Sequence, residues 1–440
     1  MWPYYPELLA RPVPRYTSYP TAVEFSDAVG ADAQQDMLQK LAPTTNISLY
    51  AHIPFCQIIC WYCGCNTHRA NKPTRVTNYL DALLAELDWL AANIGDKVHL
   101  QRLSFGGGSP NSLAPADFIR LVEHIRAAFD GAEAEISVEL DPRSFEGEWR
   151  RILGRLGVQR ASFGVQTLEP DIQKRVGRIQ PFDMIAEGTK ALRDNGIRSL
   201  NFDLMYGLPG QTSAHLLRSI DAALELGPDR VALFGYAHVP QMIPRQRQID
   251  ASDLPGQKAR FDQAAAGFQR LTQAGYQPIG FDHFAKPDDP LAIAARNGTL
   301  RRNFQGFTDD SSEVLLGAGA TAISCLPEII LQNEKNLGVY RDAVADGRPP
   351  AALGVRRTAD DRIRGHIIEE LLCGRAASLT TLADRTQVEA RLQPFLAMGL
   401  CRLQNDRLRI EPAALPYARA IAACFDSYRN MAETRFSNAV

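Results

Sequence analysis

No stretch of this sequence is apolar for long enough to cross a bilayer, and neither sign of charge is in marked excess. Acidic residues number 50 against 48 basic ones, which leaves a formal net charge of −2. This balance gives no reason to expect nucleic acid or an anionic membrane as a partner. Residues 1–16 also lack a basic start followed by an apolar segment, so no secretory signal is predicted. We therefore expect a cytoplasmic protein.

The sequence also lacks internal repeats and low-complexity segments. Apolar residues make up 45% and charged residues 22% of the 440 positions, which is typical of globular domains. A chain of this length is expected to form two or three domains with a sizeable core. In the cytoplasm its eight cysteines would stay reduced, so metal binding or redox chemistry is a better explanation for clustered thiols than a disulfide framework.

Strand and helix patterns alternate from about residue 46. Such alternation predicts parallel strands with right-handed crossovers. Six units predict an α/β fold, an incomplete (β/α)6 TIM-like barrel with its site at the carboxyl ends of the strands. The strands are predicted at 47–53, 100–105, 135–140, 160–165, 199–207 and 230–237, and the main helices at 75–94, 114–130, 146–156, 181–195, 212–226 and 257–274.

Three parts are predicted along the chain. Residues 1–45, rich in proline and tyrosine, would form an arm over the active site, and residues 46–345 the barrel core with its extension. Residues 346–440 would form a mainly helical, winged-helix-like domain. Its helices are predicted at 358–374, 379–385, 387–398 and 413–430, with a hairpin turn at Asn405 and Asp406. The segment from 387 carries a single arginine, which is poor for a helix that reads the major groove.

Four cysteines lie within the ten residues CQIICWYCGC, 56–65. Structural zinc sites normally draw pairs of ligands from separate elements, whereas iron–sulfur clusters are held by thiolates from compact runs. The C-x3-C-x2-C-x-C spacing therefore favours an iron–sulfur cluster and leaves zinc, thiol redox chemistry and simple packing open. If only Cys56, Cys60 and Cys63 ligate, one iron keeps an open position. For Cys65 three roles stay open: a fourth ligand, a packed thiol or a reactive group.

The C-x3-C-x2-C spacing directly after a first barrel strand resembles the radical S-adenosylmethionine family. Within that family, the chain is similar to the enzymes that decarboxylate a porphyrinogen without oxygen. The similarity is carried by an ordered set of motifs over nearly the whole chain: RYTSYPTA, LYAHIPFC, GGGSP, VELDPR, GVQ, DLMYGLPGQT, YAHVP, GFDHFAKPDD, RRNFQGFT and CFDSYR.

The resemblance implies a [4Fe–4S] cluster held by Cys56, Cys60 and Cys63, with two molecules of S-adenosylmethionine. The ring of Tyr50 would stack on the sulfonium, as a cation over an aromatic face, and Arg178 would give a charge-assisted bond to a cofactor carboxylate. The residues implied in cofactor binding are Tyr50, Tyr62, Gly106, Gly107, Gly108, Ser109, Glu139, Gln166, Arg178, Asp203, Met205, Phe234, Ala237 and Ile323.

The implied substrate is coproporphyrinogen III, which carries four carboxylates, so its site should offer several cationic donors. Candidates are Arg15, Arg247, Arg301 and Arg302. The residues predicted to be catalytic are Tyr50, Cys65, Arg15 and Arg302. An electron donor such as a flavodoxin or ferredoxin, and a monomeric state, are also expected.

Two other functions remain as alternatives. A haem-binding chaperone of the same superfamily would share the three cysteines, but it normally lacks Cys65, the YTSYPT arm and RNFQGFT. An iron–sulfur regulator that used the winged-helix-like tail on DNA would need a basic face, which the tail does not offer.

Overall fold

The computed structural model describes residues 2–10, 12–42, 44–94 and 98–429. The strands of the described chain are β1 (Asn46–Ile53), β2 (Phe55–Cys56), β3 (His68–Arg69), β4 (His99–Gly107), β5 (Glu135–Leu140), β6 (Val158–Gln166), β7 (Ser199–Tyr206), β8 (Arg230–Gly235), β9 (Gln277–Ile279), β10 (His283–Ala285), β11 (Arg301–Asn303), β12 (Gly306–Thr308), β13 (Val314–Ala318), β14 (Ile323–Cys325), β15 (Ile329–Asn333), β16 (Ala351–Arg356), β17 (Ala377–Ser378), β18 (Cys401–Gln404) and β19 (Arg407–Ile410).

The helices of the same ranges are α1 (Pro6–Leu9), α2 (Ala31–Gln39), α3 (Pro73–Ile94), α4 (Pro115–Ala128), α5 (Trp149–Arg155), α6 (Pro170–Arg175), α7 (Phe182–Asp194), α8 (Ser213–Glu225), α9 (Gln257–Gln273), α10 (Pro290–Asn297), α11 (Leu337–Ala345), α12 (Ala359–Leu372), α13 (Arg385–Ala397) and α14 (Ala418–Ala422). None of them, in the part of the chain that the structure describes, is both long and apolar enough to span a membrane.

The six predicted strands are present and form the centre of one large sheet. β1, β4, β5, β6, β7 and β8 lie side by side in that order, and each neighbouring pair is parallel. Beyond β1 the sheet continues through β13, β14, β15 and β16, and beyond β8 through β10 and β9. The α/β fold with a mostly parallel sheet is therefore confirmed, while closure into the predicted barrel stays a prediction.

The two faces of the central strands differ in chemistry because side chains alternate along a strand. Leu49, Ala51 and Ile53 of β1 are buried in the same apolar cluster as the helix residues Leu80 and Leu83. On the other face of the sheet, polar side chains of the neighbouring strands line an interior cavity of about 320 Å³. They include Ser104, Glu139, Ser162, Asn201 and Asp203.

An ion-pair cluster lies at the amino ends of the central strands. Asp309 accepts two hydrogen bonds from Arg102 at 2.9 Å and two from Arg160 at 2.8 Å. Glu135 pairs with both arginines. The charged groups join β4, β5 and β6 at the end of the strands opposite to the cysteine loop.

The C-terminal part is mainly helical, as predicted, but two of its predicted helices differ. The helix predicted at 379–385 is wrong: Leu379 donates its backbone N–H to Asp406, so this segment follows the β17–β19 pairing and helix α13 begins only at Arg385. The helix predicted at 413–430 is broken into short turns around α14, because Pro416 cannot continue a helix. Its last predicted residue, 430, lies outside the described residues.

The N-terminal arm packs against the C-terminal part. Tyr16 donates a hydrogen bond to Asp426 at 3.0 Å, and both belong to a region in which Leu9, Val13 and Tyr19 are buried with side chains from 367–425. A bridge between Ser26 and Gly354 ties the arm to the main sheet. The predicted domain boundaries at 45 and 345 stay predictions. Strand β16 belongs to the main sheet although it lies beyond residue 345 in the chain.

Candidate functional site

The four clustered cysteines lie on a loop at the carboxyl end of β1. Two short parallel strands, β2 and β3, form the base of this loop. Cys56 and Cys60 are buried, Cys63 is half-buried and Cys65 is exposed. Parallel strands all present their carboxyl ends at one edge, so the loop shares that edge with the ends of β4 to β8.

Cationic and hydroxyl donors surround the thiols. The sulfur of Cys60 accepts hydrogen bonds from Arg143 Nη2 and Arg178 Nη1, each at 3.2 Å, and Cys56 accepts one from Thr67 at 3.3 Å. A hydrogen bond from Cys65 lowers the pKa of Cys63 to about 6, against the opposing effect of burial. Positive charge beside a thiol favours the thiolate, which is the form that binds metal.

At Cys56 burial is the dominant effect, and it raises the pKa of the thiol to about 11. A metal competes with the proton for sulfur and reverses this preference, because a coordinating thiol is deprotonated outright. The loop therefore suits metal binding, because Cys63 ionises readily and a bound metal would deprotonate Cys56.

The glycines at the end of β4 are required by close packing. A Cβ atom added at Gly106 would lie 2.6 Å from the carboxyl carbon of Glu139, and one added at Gly108 would lie 2.5 Å from the carbonyl oxygen of Phe55. Gly107 has a φ of +107° and lies against the ring of His52. The missing side chains of this segment therefore make room for Glu139, His52 and Phe55, and its contact with a cofactor stays a prediction.

Two carboxylates face the cavity from β5 and β7, the strands on either side of β6. Glu139 accepts a hydrogen bond from the backbone N–H of Gly107 at 3.2 Å. Burial, with a smaller contribution from the charge of Asp203, raises the pKa of Glu139 to about 7. Asp203 accepts from Asn201 at 2.8 Å and from Ser162 at 3.3 Å, and burial raises its pKa. This pair can hold hydroxyl or ammonium groups of a ligand.

Arg178 contacts the cysteine loop itself. Besides Cys60, its guanidinium donates to the carbonyl of Gly164 at 2.6 Å and to Asp141 at 3.3 Å, and the residue is 6% exposed. The predicted bond to a cofactor carboxylate stays a prediction. Asp141 also pairs with Arg143 at 2.6 Å, so one buried carboxylate orients both cations that face the Cys60 sulfur.

Other predicted cofactor residues lie around the same edge of the sheet. Ser109 is 2% exposed and donates to Asn111 at 2.5 Å. Gln166 ends β6 with a left-handed φ of 64°. Tyr62 and Met205 are partly buried and pack on a small apolar cluster around Tyr236. The structure also places Phe234 in the wall of the interior cavity, Ala237 in that of a smaller neighbouring cavity, and Ile323 in β14.

Tyr50 and His52 lie together on β1. The Tyr50 hydroxyl is 3.1 Å from His52 Nδ1, and burial lowers the pKa of His52 to about 4. His52 is therefore neutral, and its Nε2 lies 3.4 Å from the carbonyl oxygen of Asn66 and 3.3 Å from Thr321. These contacts hold the histidine within the strand rather than among the thiols.

The predicted substrate arginines divide into two groups. Arg15 lies over the ring of Phe234, 5.6 Å from its centre, and Arg302 donates to the backbone carbonyl of Arg15 at 3.2 Å. Arg301 instead pairs with Glu369 at 2.9 Å, and Arg247 is exposed on a short turn outside the cavity.

Two further arginines lie beside Arg15 and were not predicted from the sequence. Arg260 of α9 and Arg419 of α14 line the smaller cavity together with Arg15. The sequence offers one signal for Arg260: glycines stand at 207 and 235, where β7 and β8 end. Cβ atoms at those positions would approach the Arg260 guanidinium closely. No comparable signal marks Arg419.

The chain is similar to known proteins over nearly its full length. The model of the radical SAM superfamily matches residues 50–223. An oxygen-independent coproporphyrinogen III oxidase of Bradyrhizobium diazoefficiens is 42% identical over 97% of both chains, and one of Escherichia coli is 38% identical over 94% of this chain and 93% of that protein. This chain belongs to the oxygen-independent coproporphyrinogen III oxidase family.

The fold agrees with that assignment to the oxidase family. The solved structure of coproporphyrinogen III oxidase from Escherichia coli, described as a radical SAM enzyme, superposes with a TM-score of 0.91 at 36% identity, and covers 97% of this chain and 100% of that one. Radical SAM enzymes use a [4Fe–4S] cluster and S-adenosylmethionine. The three-cysteine loop with its cationic neighbours fits the first, and the cavity carboxylates of Glu139 and Asp203 fit the amino and hydroxyl groups of the second.

Proposed function

We propose that this protein catalyses the anaerobic oxidative decarboxylation of two propionate side chains of coproporphyrinogen III to vinyl groups. The products are protoporphyrinogen IX and CO2, so the reaction belongs to haem biosynthesis. The single observation that carries the proposal is the similarity to oxygen-independent coproporphyrinogen III oxidases over 97% of the chain. That similarity includes the arm and the C-terminal part, and it favours this reaction over the haem-chaperone and DNA-binding alternatives.

The bound cofactors would supply a 5′-deoxyadenosyl radical that removes a hydrogen atom from a propionate. Loss of CO2, with transfer of one further electron to an external electron acceptor, would then leave the vinyl group. The chain's own contribution is to position the reactants and to exclude water. Cys56, Cys60 and Cys63 would hold the cluster, and the backbone of Gly106 to Gly108 would admit the cofactor close to it.

Anaerobic turnover tests the proposed function. Protein with its iron–sulfur cluster, S-adenosylmethionine and a reductant is expected to convert coproporphyrinogen III, with vinyl formation read by chromatography after oxidation to the porphyrin. Heat-denatured protein and omission of S-adenosylmethionine are the controls. A preparation that holds the cluster and cleaves S-adenosylmethionine but forms no vinyl product with this substrate contradicts the proposal.

We also propose an electron donor, an oligomeric state and a location for this protein. An external one-electron donor such as a flavodoxin or ferredoxin would reduce the cluster, the working form would be a monomer, and the protein would act in the cytoplasm. The near balance of 50 acidic and 48 basic residues supports the absence of nucleic acid and membrane partners.

Substitution Tyr50→Ala is expected to weaken S-adenosylmethionine binding while the cluster is retained. The proposed stacking of the ring on the sulfonium has a strength of roughly 0.5–2 kcal/mol, so the affinity should fall about 3- to 30-fold. Calorimetric titration of the cluster-loaded protein measures the change. Tyr50→Phe, which keeps the ring and removes only the hydroxyl that lies 3.1 Å from His52 Nδ1, is the control and should bind about as tightly as the wild type. Equal affinities for wild type and Tyr50→Ala would rule out the stacking.

Glu139 is expected to make S-adenosylmethionine binding depend on pH. Because its pKa is raised to about 7, the carboxylate ionises as the pH rises from 6 to 8, and the ionised form accepts hydrogen bonds more strongly. Affinity should therefore increase with pH by up to about tenfold, which is the change in the ionised fraction. Glu139→Gln should remove this part of the pH dependence. A variant whose pH profile coincides with that of the wild type would show that Glu139 does not contact the cofactor.

A further inference from the structure

A small cavity at the mouth of the sheet carries more positive than negative side chains. It measures about 60 Å³ and lies between the ends of β7 and β8, helix α9, the arm and the C-terminal part. Among the described residues that line it, Arg15, Arg260 and Arg419 are cationic and Asp282 is anionic. The remaining lining is largely aromatic and aliphatic, so the charges lie in an environment of low polarity, where an opposite charge is attracted strongly.

The three arginines reach this cavity from separate parts of the chain and are positioned by aromatic rings. The guanidinium carbon lies 5.6 Å from the ring centre of Phe234 for Arg15, 5.9 Å from that of Tyr206 for Arg260, and 5.8 Å from that of Phe281 for Arg419. These ring contacts limit the orientations of the three guanidiniums, whose planar fork of N–H donors matches the geometry of a carboxylate.

Glycines make room for Arg260 over the strand ends. A Cβ atom added at Gly235 would lie 3.2 Å from Arg260 Nη2, and Gly207, which has a φ of +78°, leaves similar space for Nη1. Burial, and then the charge of Arg15, lowers the pKa of Arg419 to about 10. Asp282 also pairs with His283 at 2.6 Å. The cavity therefore has three arginines and a single carboxylate, Asp282, which also contacts His283. An excess of positive side chains is expected for a site that binds an anion.

The position of the cavity fits a substrate side chain. Phe234 lines both this cavity and the larger interior one that holds Glu139 and Asp203. A volume of about 60 Å³ has room for a few water molecules, which is the size of a carboxylate with its adjoining carbons and much less than a tetrapyrrole.

We propose that Arg260 and Arg419, together with Arg15, form a subsite that binds one propionate carboxylate of the substrate and so orients the tetrapyrrole at the mouth of the sheet. The inference rests on the proposed function, since it takes a porphyrinogen as the substrate. Arg260 and Arg419 are positioning residues in this proposal, and the reacting propionate is a different one.

The test compares coproporphyrin III, the stable oxidised tetracarboxylate, with its uncharged tetramethyl ester. Fluorescence titration of cluster-loaded protein measures both affinities. Arg260→Gln and Arg419→Gln are each expected to weaken binding of the acid about tenfold, the loss for a charge-assisted hydrogen bond, and to leave ester binding unchanged. Arg270→Gln is the matched control, because Arg270 lies on the same helix α9 but pairs with Asp221 at the surface; it should change neither affinity.

The outcomes separate the subsite from the proposed function. Wild-type affinity for the acid in both glutamine variants, or an equal loss for acid and ester, overturns the subsite. If a glutamine variant does not fold, judged by its thermal melt, the corresponding lysine variant decides: it should lose acid affinity severalfold because the planar fork is gone, and unchanged affinity overturns the subsite. Turnover of coproporphyrinogen III by the wild type is measured in parallel, so the subsite can fail while the proposed function stands.

Discussion

Substitution Cys60→Ala is expected to abolish iron–sulfur assembly and S-adenosylmethionine cleavage. Two of the three loop sulfurs cannot hold the cluster with one open iron, and the loss of even an outer-shell partner of a metal costs 10- to 100-fold in affinity or activity. We therefore expect activity to fall by at least about two orders of magnitude. Iron content and visible absorption of anaerobically purified protein measure the first effect, and 5′-deoxyadenosine formation measures the second.

The structure gives a further reason for choosing Cys60 among the three. Its sulfur receives hydrogen bonds from both Arg143 and Arg178, so the variant also removes an acceptor of these two guanidiniums and leaves them with Asp141. Cys325→Ala, outside the loop, is the control and should keep the cluster. Wild-type cleavage of S-adenosylmethionine in Cys60→Ala would show that the ligand assignment is wrong.

The cysteine loop was predictable because its information is local. Four thiols within ten residues cannot lie far apart, and the strand patterns before and after them fix where the loop emerges from the sheet. The same holds for the six central strands, each of which shows its apolar pattern within fewer than ten residues. The α/β sheet and the position of the loop at its carboxyl edge therefore follow from the sequence.

The arginines at the mouth of the sheet were only partly predictable. Arg15, Arg260 and Arg419 are more than 150 residues apart along the chain in each case, and no local pattern distinguishes them from the many surface arginines. They meet only because the arm and α14 pack on α9 and on the ends of β7 and β8. Arg301 and Arg302 are adjacent in sequence, yet only Arg302 turns towards Arg15, since β11 directs successive side chains to opposite sides.

Long-range pairing also explains the error at 379–385. The segment has no proline or glycine to stop a helix, but the two residues directly before it, Ala377 and Ser378, pair with β19, and Leu379 donates its backbone N–H to the carbonyl of Asp406. A sheet formed with residues nearly thirty positions later outweighs the weak local helix preference. A local sequence pattern does not show that a distant strand will pair with these residues, so the helix was predicted wrongly.

Substitution Asp309→Asn is expected to cause the largest loss of stability without loss of the cluster. Asp309 receives two hydrogen bonds from each of Arg102 and Arg160, and its side chain is 13% exposed. Removing its charge leaves two largely buried guanidiniums with only Glu135 as a shared partner, and breaking a buried pair in this way costs about 3 kcal/mol or more. Urea unfolding should show a clearly lower midpoint, while iron content stays unchanged because the ion pairs lie at the opposite ends of the strands.

The pH dependence of this loss is fixed by the direction of the pKa shift. Although burial opposes it, hydrogen bonds from Arg160 and Arg102 hold the pKa of Asp309 far below its ordinary value of 3.8. The carboxylate therefore stabilises the fold at every pH above that ordinary value, and its contribution falls as the pH drops below it. The difference between wild type and Asp309→Asn should be constant from pH 5 to 8 and shrink in more acidic buffer. Asp221→Asn, which removes a surface pair with Arg270, should cost less than about 1 kcal/mol; an equally small effect for Asp309→Asn would mean that the cluster at the amino ends of the strands does not stabilise the sheet.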